Sequence, residues 1–196
     1  MRAYAAIVLA GGQGKRLGGA DKAAIEVGGA SLLERAVSAA DGAAATVVVG
    51  PSRGLSAPAL TTEERPRGGG PVAAVAAGLT ALDEIGAPEV VVVLACDMPM
   101  VDAASVDRLV RALDDRPDVD TVMYVDAAGR PQYLAAAYRR ETLAAAIAGL
   151  DARAGASMRA LVDRLTVAEI AADAELTLDC DTWQDVERVR QILEDR

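Results

Sequence analysis

The sequence predicts an α/β fold, a single-domain, doubly wound (Rossmann-like), mostly parallel sheet flanked by helices, and three observations carry that prediction. Unbroken apolar runs recur at 5–10 ("AAIVLA"), 45–50 ("ATVVVG") and 89–96 ("EVVVVLAC"). Strands buried on both faces read this way, and parallel strands covered by helices are such strands. Segments with helix-start signals separate the runs, so strand and helix alternate. The length of 196 residues suits one well-buried domain, 1–196, and is short for two.

The elements follow in order. The first strand, near 5–10, runs straight into a glycine-rich loop. Helix "SLLERAVSAA" starts at Ser31 with Glu34 three residues on, the spacing of a capping box. After the second strand, "GPVAAVAAGLTAL" places Pro71 where a first helical turn tolerates proline. The third strand ends in "LACDMPMV", and behind Pro99 the segment "VDAASVDRLVRALDD" is helical with Asp102 as its cap. "DTVMYVD" and "QYLAAAY", separated by "AAGRP", read as two strands around a turn, a mixed-direction pair. Helical "RRETLAAAIAGL" and "SMRALVDRL", a short "TVAEI" and a last helix in "DTWQDVERVRQILEDR" complete the chain. Either Asp181 or Thr182 caps that last helix, and Trp183, the only tryptophan, is expected to anchor it by packing.

Composition narrows the function. Apolar residues make up 52% and charged residues 25%, and phenylalanine is absent, so the core should be aliphatic. A net charge of -9 argues against nucleic-acid and anionic-membrane partners, which require a basic face. Any anionic ligand must therefore be held by a local cluster of cations. Cys96 and Cys180 match neither a zinc spacing nor a disulfide framework, which predicts reduced thiols and a cytoplasmic protein. Cys96 reads as a small buried filler beside Asp97. No apolar stretch approaches the roughly 20 residues that span a bilayer.

The stretch "LAGGQGKRLGGADK" (9–22) holds five glycines and four charges in fourteen residues. Glycines after a first strand let backbone amides approach phosphate oxygens where a Cβ would obstruct them. Two familiar versions fail on spacing. A Walker A loop needs glycine five positions before the Gly-Lys pair, but Leu9 stands there and Arg16 replaces the Ser or Thr after Lys15. A dinucleotide fingerprint needs G-x-G-x-x-G, but Gly12, Gly14 and Gly18 leave one residue too many in the second gap. What remains is a glycine loop ringed by Lys15, Arg16 and Lys22, suited to a triphosphate and to the charge of a phosphoryl-transfer transition state.

The loop resembles the signature of the MobA-like nucleotidyltransferases, most closely the molybdenum cofactor guanylyltransferases, which runs L-A-G-G, three variable residues, R-[ML]-G, a short gap and D-K. Leu9, Ala10, Gly11, Gly12, Arg16, Leu17, Gly18, Asp21 and Lys22 match it. "GPVAAVAAGL" is similar to the family's G-P-[LV]-A-G-[LI] helix start, and "LACDMPMV" to its strand-ending C-D-[MT]-P. Where those enzymes carry N-V-N-T-P-E-D-L, this chain has "LDCDTWQDV", with Asp179 and Asp181 in the asparagine positions, as in related cytidylyltransferases.

The resemblance implies transfer of GMP from GTP to the terminal phosphate of a molybdopterin-type acceptor, with release of pyrophosphate and with magnesium as cofactor. The alternatives are cytidylyl transfer from CTP to the same acceptor, nucleotidyl transfer to another phosphorylated small molecule, and a catalytically inactive nucleotide-binding module. It implies Arg16, Lys22 and Asp97 as catalytic residues. Leu9, Ala10, Gly11, Gly12, Gly14, Lys15 and Lys22 would seat the nucleotide, with the family's nucleotide-contacting Asp falling on Glu63 or Glu64. Asp97 would bind the metal with Asp181 or Asp179, and Asp179, Arg130 and Gln132 would border the acceptor. For Asp97 and Asp181 the competing reading is helix capping; for Arg130 and Gln132 it is a plain turn and strand; Arg159 either reaches an anionic acceptor or lies on a solvated helix face. Transient contact with molybdoenzymes or cofactor-delivery proteins completes the implied partners.

Overall fold

The first strand, β1 (Tyr4–Leu9), is buried along its whole length because it lies between two parallel partners, β4 (Ala45–Val49) and β6 (Val90–Ala95). The computed structural model describes residues 2–11, 15–54 and 57–195. Among these, seven strands form one sheet in the order β5-β4-β1-β6-β8-β7-β9, where β5 is Leu60–Thr62, β7 Thr121–Val125, β8 Pro131–Arg139 and β9 Val167–Ala171. Every pairing is parallel except those of β8, which runs antiparallel to both β6 and β7. The mixed-direction pair expected from "DTVMYVD" and "QYLAAAY" is therefore β7 and β8.

Side chains alternate across the strands, so each valine run feeds two cores. Ala6, Val8, Val48, Val92 and Leu94 face α1 (Leu32–Ala39) and α3 (Ala103–Asp114). Ala5, Ile7, Val47, Val91 and Val93 face α2 (Pro71–Glu84), α4 (Arg140–Ala148) and α5 (Met158–Val162). The expected helix starts hold: Ser31 and Glu34 form a reciprocal capping box, Pro71 opens α2, and the Asp102 side chain accepts from the Ser105 amide.

Two features escape a pattern reading. A short hairpin pairs β2 (Glu26–Val27) with β3 (Ala30–Ser31) through Gly28 and Gly29 at φ 55° and 77°. Two consecutive positive φ values are what a tight mirror-image hairpin turn requires. The edge strand β5 is three residues and mostly exposed, so it carries no apolar run to reveal it.

A third cluster joins Leu17, Ile25, Val27, Leu32, Met100, Cys180, Val186 and Val189. It packs the hairpin and the last helix, α6 (Trp183–Glu194), beneath the end of the glycine-rich segment. Val186 and Val189 anchor α6; Trp183, at its first position, is 51% exposed and does not serve as the expected packing anchor. No helix of the described residues is long and apolar enough to cross a membrane.

Candidate active site

The site lies at the carboxyl edge of β1, β4 and β6, where open parallel sheets leave a ligand crevice. The Ala10 amide donates to the Val49 carbonyl at 2.9 Å and the Cys96 amide to the Leu9 carbonyl at 3.1 Å, so the strands stay paired up to the loop. Gly11 is exposed, and a Cβ there would stand 4.0 Å from Glu64 Oε1. Glu64 thus faces the loop, while Glu63 is turned onto the Arg67 guanidinium at 2.5 and 3.0 Å. Gly12, Gly14 and the Lys15 side chain lie outside what the structure describes. Leu17 is buried in the third cluster and pins the far side of the loop.

Past Leu17 the chain turns through Gly18 and Gly19, both at positive φ, and delivers Lys22 to the centre of the site. The Lys22 side chain is only 13% exposed, and its Nζ donates to Asp97 Oδ2 at 2.8 Å and to Asp181 Oδ1 at 2.5 Å. The second oxygen of Asp181 accepts from the exposed Arg16 at 3.3 Å. Burial works against the Lys22 charge, but the two carboxylates outweigh it and hold its pKa above the ordinary lysine value.

The helix caps explain why both acids are available. Helix α3 is capped by Asp102, and α6 by Thr182 in a capping box with Asp185. The capping readings of Asp97 and Asp181 are thereby replaced: their carboxylates meet at Lys22, although they are 84 positions apart in number. What draws them together is a main-chain bond, Cys180 amide to Asp97 carbonyl at 2.9 Å, which lays the segment before α6 alongside the end of β6. Cys96 and Cys180 are themselves buried and not disulfide-bonded, and burial pushes each thiol up to about 12, which disfavours the reactive thiolate.

Beside this cluster a cleft of about 410 Å³ is lined by Asp97, Gln132, Tyr133, Arg159, Asp179 and Asp181 among others. Asp179 carries a raised pKa, because burial and then the negative charges of Asp181, Asp97 and Asp185 disfavour its ionisation more than Lys22 favours it. Gln132 and Arg159 therefore reach the cleft. Arg130 is not among its lining residues; its guanidinium is tied to Asp126 at 2.7 Å in the turn between β7 and β8.

A family model for the MobA-like NTP transferase domain matches residues 6–174, which takes in the glycine loop, Lys22, Asp97 and the cleft strand β8. The chain belongs to this family. Curated relatives include a protein named probable molybdenum cofactor guanylyltransferase from Mycobacterium marinum, 35% identical over 81% of this chain and 79% of the relative. Another, named molybdenum cofactor guanylyltransferase, comes from Rhodobacter capsulatus and is 32% identical over 89% of this chain and 86% of its own length. Among solved structures, the molybdopterin-guanine dinucleotide biosynthesis protein A of Archaeoglobus fulgidus shares the fold with a TM-score of 0.76 at 20% identity, over 98% of this chain and 100% of its own. A 2-C-methyl-D-erythritol 4-phosphate cytidylyltransferase from Thermus thermophilus also shares it, with a TM-score of 0.65 at 20% identity, over 99% of this chain and 100% of its own.

In this MobA-like NTP transferase the donor set fits a hard divalent cation. Oxygens of Asp97 and Asp181 already converge on one positive charge, the Lys22 ammonium. Magnesium is usually bound by one or two carboxylates plus substrate phosphates, not by a closed protein cage. What the sequence did not show is that Arg53 partners Asp21 and that Glu64 is the glutamate facing the loop. Arg53 stands in "GPSRG" after β4, and nothing local marks an arginine in a turn as the partner of an aspartate 32 positions earlier.

Proposed function

We propose that this chain, 1–196, is a molybdenum cofactor guanylyltransferase that moves GMP from GTP to the terminal phosphate of a molybdopterin-type acceptor. The observation that carries this is the Lys22 ammonium held between Asp97 and Asp181 at the junction of glycine loop and cleft. That junction is where an acceptor on the cleft side would meet the α-phosphorus of a nucleotide on the loop side. Relatives that bear the guanylyltransferase name over most of both chains support the same reading.

The chemistry asks little of a base. A phosphate monoester with a second pKa of about 6 is mostly dianionic at neutral pH, and the chain contains no histidine. An acceptor oxygen attacks the α-phosphorus, the bond from that phosphorus to the bridging oxygen breaks, and pyrophosphate leaves with the electron pair. Positioning and charge stabilisation supply the rate. Lys22 holds the α-phosphate and the incoming oxygen together, and the positive charges of Arg16 and Lys15 would offset that of the leaving pyrophosphate. Asp97 and Asp181 are the residues that would hold magnesium, which supplies neutralisation of nucleotide phosphate charge. Gln132 and Arg159 orient the acceptor.

Guanine is favoured by two neighbours of the loop. Gly11 adds no methyl where a base edge passes, and the Glu64 carboxylate opposite it is an acceptor suited to the N1–H and 2-amino donors of guanine. The test is pyrophosphate release with each of the four nucleotides and molybdopterin. GTP should exceed CTP in kcat/KM by about 10- to 200-fold, the range a single pocket mismatch supplies. A ratio at or below one reassigns the base to cytosine, and binding without turnover for all four reassigns the protein as an inactive binding module.

A further inference from the structure

All three guanidinium nitrogens of Arg53 donate within the protein. Nε and Nη2 grip the two oxygens of Asp21 at 2.9 and 2.8 Å, and Nη1 donates to the carbonyls of Ala10 at 3.3 Å and Pro51 at 3.1 Å. These partners come from both ends of the glycine-rich segment: Ala10 follows β1, and Asp21 immediately precedes Lys22. Pro51 and Arg53 themselves belong to the turn leaving β4, the strand paired with β1. A third element thus fastens the entry and the exit of the loop to each other. The Arg53 side chain is 19% exposed, and the Asp21 side chain makes no cap hydrogen bond to the short turn it precedes.

We propose that Arg53 is a positioning residue for nucleotidyl transfer, a clasp that joins Ala10 to Asp21 and thereby sets where Lys22 presents its ammonium. The physical reason is geometric. A planar fork fixes both the distance and the plane of a carboxylate, which a lysine's single ammonium does not. Lys22 is one residue from that fixed point, and its reach to Asp97 and Asp181 depends on it. Without the clasp Asp21 can shift relative to Ala10, and each turnover must first order it. The neighbouring main chain is already close-packed at this place. A Cβ on Gly50 would come within 2.9 Å of the Ala10 carbonyl carbon, so Ala10 is held from the β4 side as well.

The inference rests on the proposed guanylyltransferase reading, and its test separates the two. The full chain and its Arg53→Ala, Arg53→Lys, Asp21→Ala and Arg53→Ala/Asp21→Ala variants are compared by pyrophosphate release with GTP, by thermal unfolding and by hydrogen exchange of residues 15–24 in the ligand-free protein. Arg53→Ala should lower kcat/KM by about a hundredfold, the cost of an ångström-scale misplacement, with kcat falling as well as KM rising. Arg53→Lys should restore little of it. The double variant should be no worse than Arg53→Ala alone, because both changes open the same clasp, and exchange in 15–24 should quicken in all four variants while the unfolding temperature moves little. Additive losses in the double variant, or unchanged exchange, overturn the proposal. So does a GTP-to-CTP ratio altered by Arg53→Ala but not by Asp21→Ala, since Arg53 would then touch the nucleotide. Wild-type protein inactive with every nucleotide removes the guanylyltransferase reading, while the exchange data still decide the clasp.

Discussion

The two sides of the site are assembled on different principles. On the β1 side, backbone and cations come from one contiguous stretch, 9–22, closed at its ends by Arg53. On the β8 side, the lining comes from segments far apart in the chain: 131–134, 157–159 and 179–181. Direction explains how the second side reaches the first. Strand β8 runs opposite to β6 with Leu94 opposite Ala135, so the start of β8 lies beyond the end of β6, beside Asp97. A parallel β8 would have carried Gln132 and Tyr133 to the far edge of the sheet. In the proposed reaction the contiguous side would handle a ligand of fixed chemistry, the phosphates; the assembled side can vary its residues segment by segment, which would suit it to choosing an acceptor.

Damage on the two sides should therefore differ in kind. The largest effect is expected at the shared centre. Lys22→Ala should lower kcat by on the order of a hundredfold or more, the scale of a lost transition-state donor, measured as pyrophosphate release at saturating GTP and acceptor. Normal turnover in that variant would detach the loop from the chemistry. Next, Asp97→Asn should raise the magnesium concentration for half-maximal rate by at least the roughly 10- to 100-fold that loss of an outer-shell metal partner costs. A magnesium titration of both proteins checks it.

A smaller effect sharpens the comparison on the cleft side alone. Arg159→Ala should raise KM for the acceptor by about tenfold, the value of one charge-assisted hydrogen bond, and leave KM for GTP unchanged. Arg130→Ala should change neither, because its guanidinium is spent on Asp126. Steady-state kinetics with each substrate varied in turn distinguishes them. The smallest effect separates cap from site at neighbouring residues. Thr182→Ala should cost about 1 kcal/mol of stability in urea unfolding and keep kcat, whereas Asp181→Asn should keep stability and lose activity.

Capping illustrates how far the residues could be read unaided. Ser31 with Glu34, Pro71 and Asp102 were legible because a cap is a bond between residues three apart. "DTWQD" was not, since Asp181 and Thr182 are equivalent by that rule; Thr182 caps because Asp181 is already engaged by Lys22 and Arg16. Trp183 misled for a related reason. Its size suggests burial, but at the first turn of α6 it lies outside the cluster that Val186 and Val189 complete.

Residues read in order were enough to place β1, β4, β6, β7 and β8, the starts of α1, α2 and α3, the glycine loop and the cationic residues around it, all of which depend on neighbours within a turn or two of chain. It takes the folded chain to show that Asp97 and Asp181 share one lysine, that Arg53 joins the two ends of the loop, that Glu64 and not Glu63 faces Gly11, and that Gln132 enters the cleft where Arg130 does not. Local propensities reach only as far as the hydrogen bonds and side-chain contacts of adjacent residues. Pairings across 32 to 159 positions exist only after strand order, strand direction and the packing of α6 have closed the distance.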